Sequence, residues 1–312
     1  MRKLITLILI LQLTACAGFR PASVNAYENY NSNIALKLAD FSNLAYEKDE
    51  DNLKELLKDK YPDFTLLRKI EEDETGYDSQ AFVAYDDNMI IVSVRGSEIP
   101  FISMDWRNNA KFIQYTNKRV TEYCEGAGIH GGFFQSALRI GNTKLNSLEN
   151  TSIYTKIEEL QKNTNRDLYF TGHSLGGAIA EILAFFSAYE TNMDITAVYT
   201  YGEPKNGNLA YRDCHDKVLR DKTFRFINNR DIVARVRGSG EYSHVGNLAY
   251  FDRNGNLSDI NTYSSYLGIT GDVLLLRFAF DHKLANYIEL LEKNINVQPY
   301  SSQPNKLSKG TP

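Results

Sequence analysis

Residues 172–176 read Gly172-His173-Ser174-Leu175-Gly176, a serine with a glycine two positions away on each side. That spacing suits a nucleophile on a sharp strand-to-helix turn. The serine takes strained dihedrals there, and Cβ atoms at the flanking positions would collide with the turn. The context fits: residues 167–170 read as a strand, and residues 175–189, rich in Ala, Ile, Leu and Phe, as a helix. The start of that helix would aim its partial positive charge and its unpaired N–H groups, that of Leu175 first, at a developing oxyanion. A serine hydroxyl needs a base to take its proton, and the base needs a carboxylate to orient it. With a strand–turn–helix nucleophile the chain order is Ser, then Asp or Glu, then His. Asp231 follows the strand-like residues 223–228 in the loop Asn229-Arg230-Asp231. This is the carboxyl end of a strand, where open α/β sheets gather their functional groups. Of the five histidines, His244 and His282 lie beyond Asp231, and order alone does not choose between them. His130, His173 and His215 read as structural, His173 because a neighbour of the turn serine should point away from it.

These residues need a sheet and helices to carry them. The chain has 312 residues, ordinary globular composition and a formal charge of -4, which offers no electrostatic reason to bind nucleic acid. A helical pattern starts near Asn33, with Ile34, Leu38, Phe41, Leu44 and Ala45 at three- and four-residue spacing. A second helix is expected over 51–60, stopped before Pro62. Strands are expected over 65–70, 80–85 and 89–94, the last two joined by the turn Asp86-Asp87-Asn88. Residues 98–125 are less regular. Helices then read over 131–138, 152–162, 175–189, 209–219 and 281–293, and strands over 167–170, 195–201, 223–228 and 245–251. No internal repeat is visible. Alternating strands and helices after residue 130 imply a single α/β domain over 31–295. Its central sheet should be mostly parallel, flanked by helices, with an antiparallel start.

The N-terminus reads as a targeting segment over 1–15. Arg2 and Lys3 precede an apolar run over 4–13, too short for a mature membrane span. Leu13-Thr14-Ala15-Cys16, followed by Ala17 and Gly18, resembles a bacterial lipobox, in which Cys16 would carry the lipid. The alternative is an ordinary signal peptide with an incidental cysteine. With Gly18 two positions after Cys16, the expectation is a lipid-anchored protein of the bacterial cell envelope, sorted to the outer membrane. Residues 16–30 read as a tether and 296–312 as a disordered tail. Cys124 and Cys214 remain; an exported compartment permits a disulfide, and two separate buried thiols are the alternative. No Cys/His cluster has zinc spacing, and no metal or organic cofactor is implied.

Several motifs in order across roughly 33–292 resemble the class 3 lipases, an α/β-hydrolase family. Val92-Ser93-Val94-Arg95-Gly96-Ser97 is similar to the family's strand and oxyanion turn, and Asp105-Trp106 to its pair after the lid. His130-Gly131-Gly132-Phe133 resembles its H-x-G-F, and residues 171–177 its extended turn T-G-H-S-L-G-G. Residues 201–208 resemble its Y-[TG]-x-P-x-x-G-N stretch. Residues 226–233 resemble the strand and loop bearing its Asp, and Tyr242-Ser243-His244 a structural histidine. The resemblance implies Ser174 as nucleophile, Asp231 as orienting carboxylate and His282, about fifty residues after the Asp, as base. Asp281 would cap the helix after it. Leu175 and Ser97 would form the oxyanion hole. Ile99, Phe101, Ile102 and Met104 become candidate lid or acyl-chain contacts, with plain core packing as the alternative.

The expected activity is hydrolysis of lipid carboxylic esters, triacylglycerol or similar, through an acyl-enzyme on Ser174. The partners would be the lipid ester and, through the anchor, a membrane. A phospholipase or acyltransferase on the same scaffold is the first rival, and a non-catalytic lipid-binding lipoprotein the second.

Overall fold

A computed structural model describes residues 26–72, 79–97, 114–115, 118–143, 151–235, 242–259 and 280–299. Its helices are α1 (Ser32–Leu44), α2 (Glu50–Lys60), α3 (Lys118–Tyr123), α4 (Gly131–Asn142), α5 (Ile153–Thr164), α6 (Leu175–Glu190), α7 (Leu209–Val218) and α8 (Leu284–Lys293). The strands are β1 (Thr65–Glu72), β2 (Ser79–Tyr85), β3 (Met89–Val94), β4 (Gln114–Tyr115), β5 (Ile129–His130), β6 (Asp167–His173), β7 (Ile195–Tyr201), β8 (Thr223–Asn228), β9 (Asn247–Phe251) and β10 (Leu257–Ser258).

Eight strands form one sheet in the order β1-β2-β3-β6-β7-β8-β9-β10. β1, β2 and β3 pair antiparallel, β3 through β9 parallel, and β10 returns antiparallel on β9. The β2–β3 hairpin turns where the sequence expects it: Asp86 Oδ1 accepts from the N–H of Asn88 at 2.8 Å and of Met89 at 2.7 Å. The parallel strands read as near-continuous hydrophobic runs because both faces are covered. One face packs α4–α7 over Val92, Phe170 and Val198; the other packs α1, α2 and α8 over Phe82, Tyr199 and Phe226. This is the expected α/β-hydrolase architecture in a single domain.

Parallel registration sets the site. Val94 pairs with Gly172 and His173 with Tyr201, so β3, β6, β7 and β8 end on the same edge of the sheet. The segments leaving that edge contain Gly96, Ser174, Gly202 and Asp231.

Some boundaries differ from expectation. The folded body begins inside the expected tether: Ala26, Tyr27 and Tyr30 are buried, and the Tyr30 ring meets Phe224 edge-on at 5.6 Å. Two tyrosines supply enough apolar area to seat this segment against β8. The last helix starts at Leu284 rather than 281. Its N-cap residue, Lys283, has no side-chain cap bond, and Asp281 is engaged elsewhere. Strands β5 and β10, of two residues each, carry too little pattern to read in sequence. Cys124 and Cys214 are joined by a disulfide with a Cα–Cα distance of 5.9 Å, tying the end of α3 to α7. Residues 1–25, including Cys16, and the tail beyond 299 lie outside the described residues.

Candidate active site

β6 delivers the chain to Ser174, and α6 begins at the next residue. Ser174 adopts φ 58° and ψ -131°, a left-handed conformation that costs a side-chain-bearing residue roughly 1–3 kcal/mol. The turn closes because residues 172 and 176 lack side chains. A Cβ on Gly172 would stand 2.4 Å from the carbonyl of Gly176, and one on Gly176 2.2 Å from the Val94 carbonyl oxygen. The Ser174 N–H donates to the Tyr201 carbonyl at 2.9 Å, fixing the turn to β7.

His282 Nε2 lies 2.9 Å from Ser174 Oγ, and its Nδ1 lies 3.0 and 2.9 Å from the two carboxylate oxygens of Asp231. Asp231 can only accept while ionised, so Nδ1 carries the proton. Nε2 is then the lone pair facing the serine hydroxyl. Asp231 is fully buried and accepts further bonds from Val233 N–H at 2.8 Å and the Tyr287 hydroxyl at 2.5 Å. Burial pushes its carboxyl up. The His282 ring beside it and the bonds from His282 and Tyr287 outweigh burial, so the net shift is below the ordinary carboxylate range. Gly202 leaves room for this pair: its φ is +63°, and a Cβ there would stand 2.6 Å from Asp231 Oδ2 and 2.9 Å from His282 Nδ1.

Asp281 does not cap the final helix. Its Oδ2 accepts from Asn229 Nδ2 at 3.0 Å and from the Arg230 N–H at 3.1 Å, and its carbonyl accepts from Asn228 Nδ2 at 2.9 Å. Asp281 therefore ties the loop of His282 to the loop of Asp231. Helix α8 starts three residues later, too far on for a residue-281 cap.

His244 takes no part in this set. Its Nε2 donates to the Ala234 carbonyl at 2.8 Å, and its Nδ1 is 4.0 Å from Glu203 Oε1. Burial, with the nearby Arg225 and Lys205 charges, holds the ring well below its usual pKa, hence neutral. His130 caps α4 and stacks on Phe133, with ring centroids 4.0 Å apart. His215 sits between Glu181 and Asp216, at 3.0 and 3.2 Å.

His173 does point away from Ser174, yet it touches His282. Its Nε2 is 2.8 Å from the His282 carbonyl oxygen and its Nδ1 is 2.7 Å from the Tyr46 hydroxyl. Tyr46 and Tyr287 carry no sequence signal for this role. Gly96 packs on Ser174: a Cβ there would stand 3.3 Å from Ser174 Cβ, and exposed Ser97 follows directly. Ile99, Phe101, Ile102, Met104, Asp105 and Trp106 lie outside the described residues. Among the described residues no cluster of three or more His, Cys, Asp or Glu side chains is arranged to hold a metal.

This sheet order, with a turn serine hydrogen-bonded to a histidine and the histidine to a buried aspartate, defines a protein of the α/β-hydrolase fold. Residues 91–240 match the lipase (class 3) family. The chain is 28% identical over 148 residues to a secreted mono- and diacylglycerol lipase of Malassezia restricta, covering 47% of this chain and 46% of that one. It is 28% identical over 198 residues to the triacylglycerol lipase OBL1 of Arabidopsis thaliana, covering 54% of this chain and 38% of the relative. The chain thus spans less than half the length of these two curated relatives. The triacylglyceride lipase of Rhizomucor miehei shares the fold, with a TM-score of 0.60 at 20% identity over 86% of this chain and 99% of that one.

Proposed function

We propose that this protein hydrolyses lipid carboxylic esters of the acylglycerol type, with Ser174 as nucleophile, His282 as general base and acid, and Asp231 as the carboxylate that orients it. The observation that carries this reading is the continuous chain from Ser174 Oγ through His282 to Asp231, at 2.9 and 2.9 Å, on a strained turn at the start of α6. The class 3 family match and the acylglycerol lipases among the relatives support the substrate class.

The chemistry follows from the geometry. Ser174 Oγ attacks the ester carbonyl carbon while its proton passes to His282 Nε2. The imidazolium that forms faces the ionised Asp231, which stabilises it without taking its proton. The carbonyl oxygen becomes an oxyanion, received by the backbone N–H of Leu175 and by Ser97. The Leu175 N–H, at the first position of α6, has no intrahelical acceptor, whereas the Gly177 N–H already donates to the Ser174 carbonyl at 3.0 Å. The alcohol leaves with the proton from Nε2. Water then attacks the acyl-serine, gives a proton to His282, and releases the fatty acid as that proton returns to Ser174. Ile99, Phe101, Ile102 and Met104 serve as lid or acyl-chain contacts in this scheme.

The test is hydrolysis of p-nitrophenyl esters of increasing chain length, beside triacylglycerol and phospholipid. Ester turnover lost in Ser174→Ala supports the reading; preferential phospholipid cleavage would redirect the substrate class, and turnover in Ser174→Ala would overturn the nucleophile. We further propose that Cys16 is lipidated and anchors the enzyme to the bacterial envelope at the outer membrane. Arg2, Lys3, the apolar run over 4–13 and the small residues around Cys16 support this; the secreted relatives support export alone. No helix among the described residues is long and apolar enough to cross a membrane. Metabolic labelling with a palmitate analogue, abolished by Cys16→Ser, checks the anchor; an unlabelled wild type would contradict it.

A further inference from the structure

The hydrogen bonds behind the base allow one assignment of protons. The His282 carbonyl oxygen can only accept, so His173 Nε2, 2.8 Å away, donates. His173 is buried, and burial together with the neighbouring His282 pushes its pKa down to about 3. The ring is therefore neutral, and its Nδ1 carries a lone pair. The Tyr46 hydroxyl, 2.7 Å from that Nδ1, must be the donor. The direction of donation runs Tyr46 to His173 to the backbone of His282.

The rail has consequences at both ends. The His173 and His282 rings lie 4.6 Å apart, so His173 also backs the face of the base. Tyr46 lies one residue past the C-cap of α1, with its N–H donating to the Asn43 carbonyl at 3.1 Å, and its hydroxyl lies against Gly96 at the start of the oxyanion turn. The Arg95 guanidinium stands 6.0 Å from the centre of the Tyr46 ring. One side chain just past α1 thus touches both the Gly96 turn and the support of the base.

We propose that Tyr46 and His173 are positioning residues, which lock the His282 backbone so that Nε2 stays aimed at Ser174 Oγ. This rests on the reading of Ser174, His282 and Asp231 given above. Without the Tyr46 hydroxyl, His173 is free to take the other tautomer. Its Nε2 lone pair would then face the His282 carbonyl lone pairs, and the loop of the base would be pushed out of line. A proton transfer is sensitive to such a displacement because small misplacements in reacting geometry cost rate steeply.

The experiment compares wild type, Tyr46→Phe, His173→Leu, His173→Gln and Ser174→Ala on p-nitrophenyl butyrate. Active sites are counted by full titration with a fluorophosphonate, so misfolded protein does not enter kcat. Tyr46→Phe is expected to lower kcat per titrated site roughly tenfold, the worth of one hydrogen bond, with KM within about twofold of wild type. His173→Leu should lower it further. His173→Gln, whose amide N–H can reach the same carbonyl, should recover most of the difference from His173→Leu. A merely structural role would reduce the titratable fraction and Tm and leave kcat per site alone. The proposal is overturned if Tyr46→Phe and His173→Leu both keep kcat per site within twofold of wild type while Ser174→Ala is inactive. Turnover in Ser174→Ala would instead overturn the parent reading, and this one with it.

Discussion

Replacing Asp231 with Asn keeps the shape of the side chain and changes what it can accept. In the structure both oxygens receive hydrogen bonds: Oδ1 from His282 Nδ1 and Val233 N–H, Oδ2 from His282 Nδ1 and the Tyr287 hydroxyl. An amide offers one acceptor and one donor. Whichever way it sits, an N–H faces a group that now donates. With the NH2 toward His282, the ring gains by moving its proton to Nε2, where a donor confronts the serine hydroxyl and no lone pair remains to take its proton. A wrong tautomer of this kind costs roughly 10⁴ in kcat, or about 5.4 kcal/mol of barrier. Stability should change far less. Bonds to a charged acceptor are lost, at about 1.5–3 kcal/mol each, but the burial cost of the ionised carboxyl is lost with them. The assay is initial rate on p-nitrophenyl butyrate at neutral pH, alongside thermal unfolding. Activity within about tenfold of wild type in a variant of unchanged Tm would refute the assignment of Asp231.

The other predictions test neighbouring parts of the account. His282→Ala should lower kcat by about a thousandfold or more with little change in Tm, while His244→Ala should lower stability by on the order of 1–3 kcal/mol, by unpairing the Ala234 carbonyl, and keep activity in the folded fraction; the reverse pattern would move the base to His244. The pair Cys124→Ser, Cys214→Ser removes a cross-link over 90 residues of separation, worth about 4–5 kcal/mol of chain entropy, so Tm should fall by several degrees; an unchanged Tm would show that the bridge adds nothing. Burial opposes a charge on His215, but Glu181 and Asp216 outweigh it and raise the ring to about 9. A raised folded pKa gives stability that is complete below pH 6.5 and lost as pH rises through 9, on the order of 3 kcal/mol. Wild type should therefore lose more Tm than His215→Gln between pH 6.5 and 9.5, and parallel profiles would count against the buried ion pair.

What could be read from sequence follows how locally each feature is encoded. The turn around Ser174 needs two glycines, a strand and a helix, all contiguous, and each was legible from residue types alone. Asp231 was legible from its place after a strand. The choice of His282 over His244 came from family resemblance, because chain order permits both; the structure separates them by distance. Asp281, expected to cap a helix, instead binds Asn229 and Arg230, since the helix begins at Leu284 and the nearest donors belong to the facing loop. Tyr46 lies 127 residues from His173, and their contact exists only because α1 packs beside β6, which no local pattern records. Spacing left the Cys124–Cys214 bridge open for the same reason.

The central claim is that Ser174 becomes acylated during turnover, and rapid quench of the enzyme with p-nitrophenyl butyrate tests it most directly. Mass spectrometry of peptides from quenched samples should find a butyryl group on the peptide containing Ser174, at a level that rises with a burst of p-nitrophenol and is absent in Ser174→Ala. Acyl groups on a different residue, or steady turnover by the Ser174→Ala protein, would contradict the account.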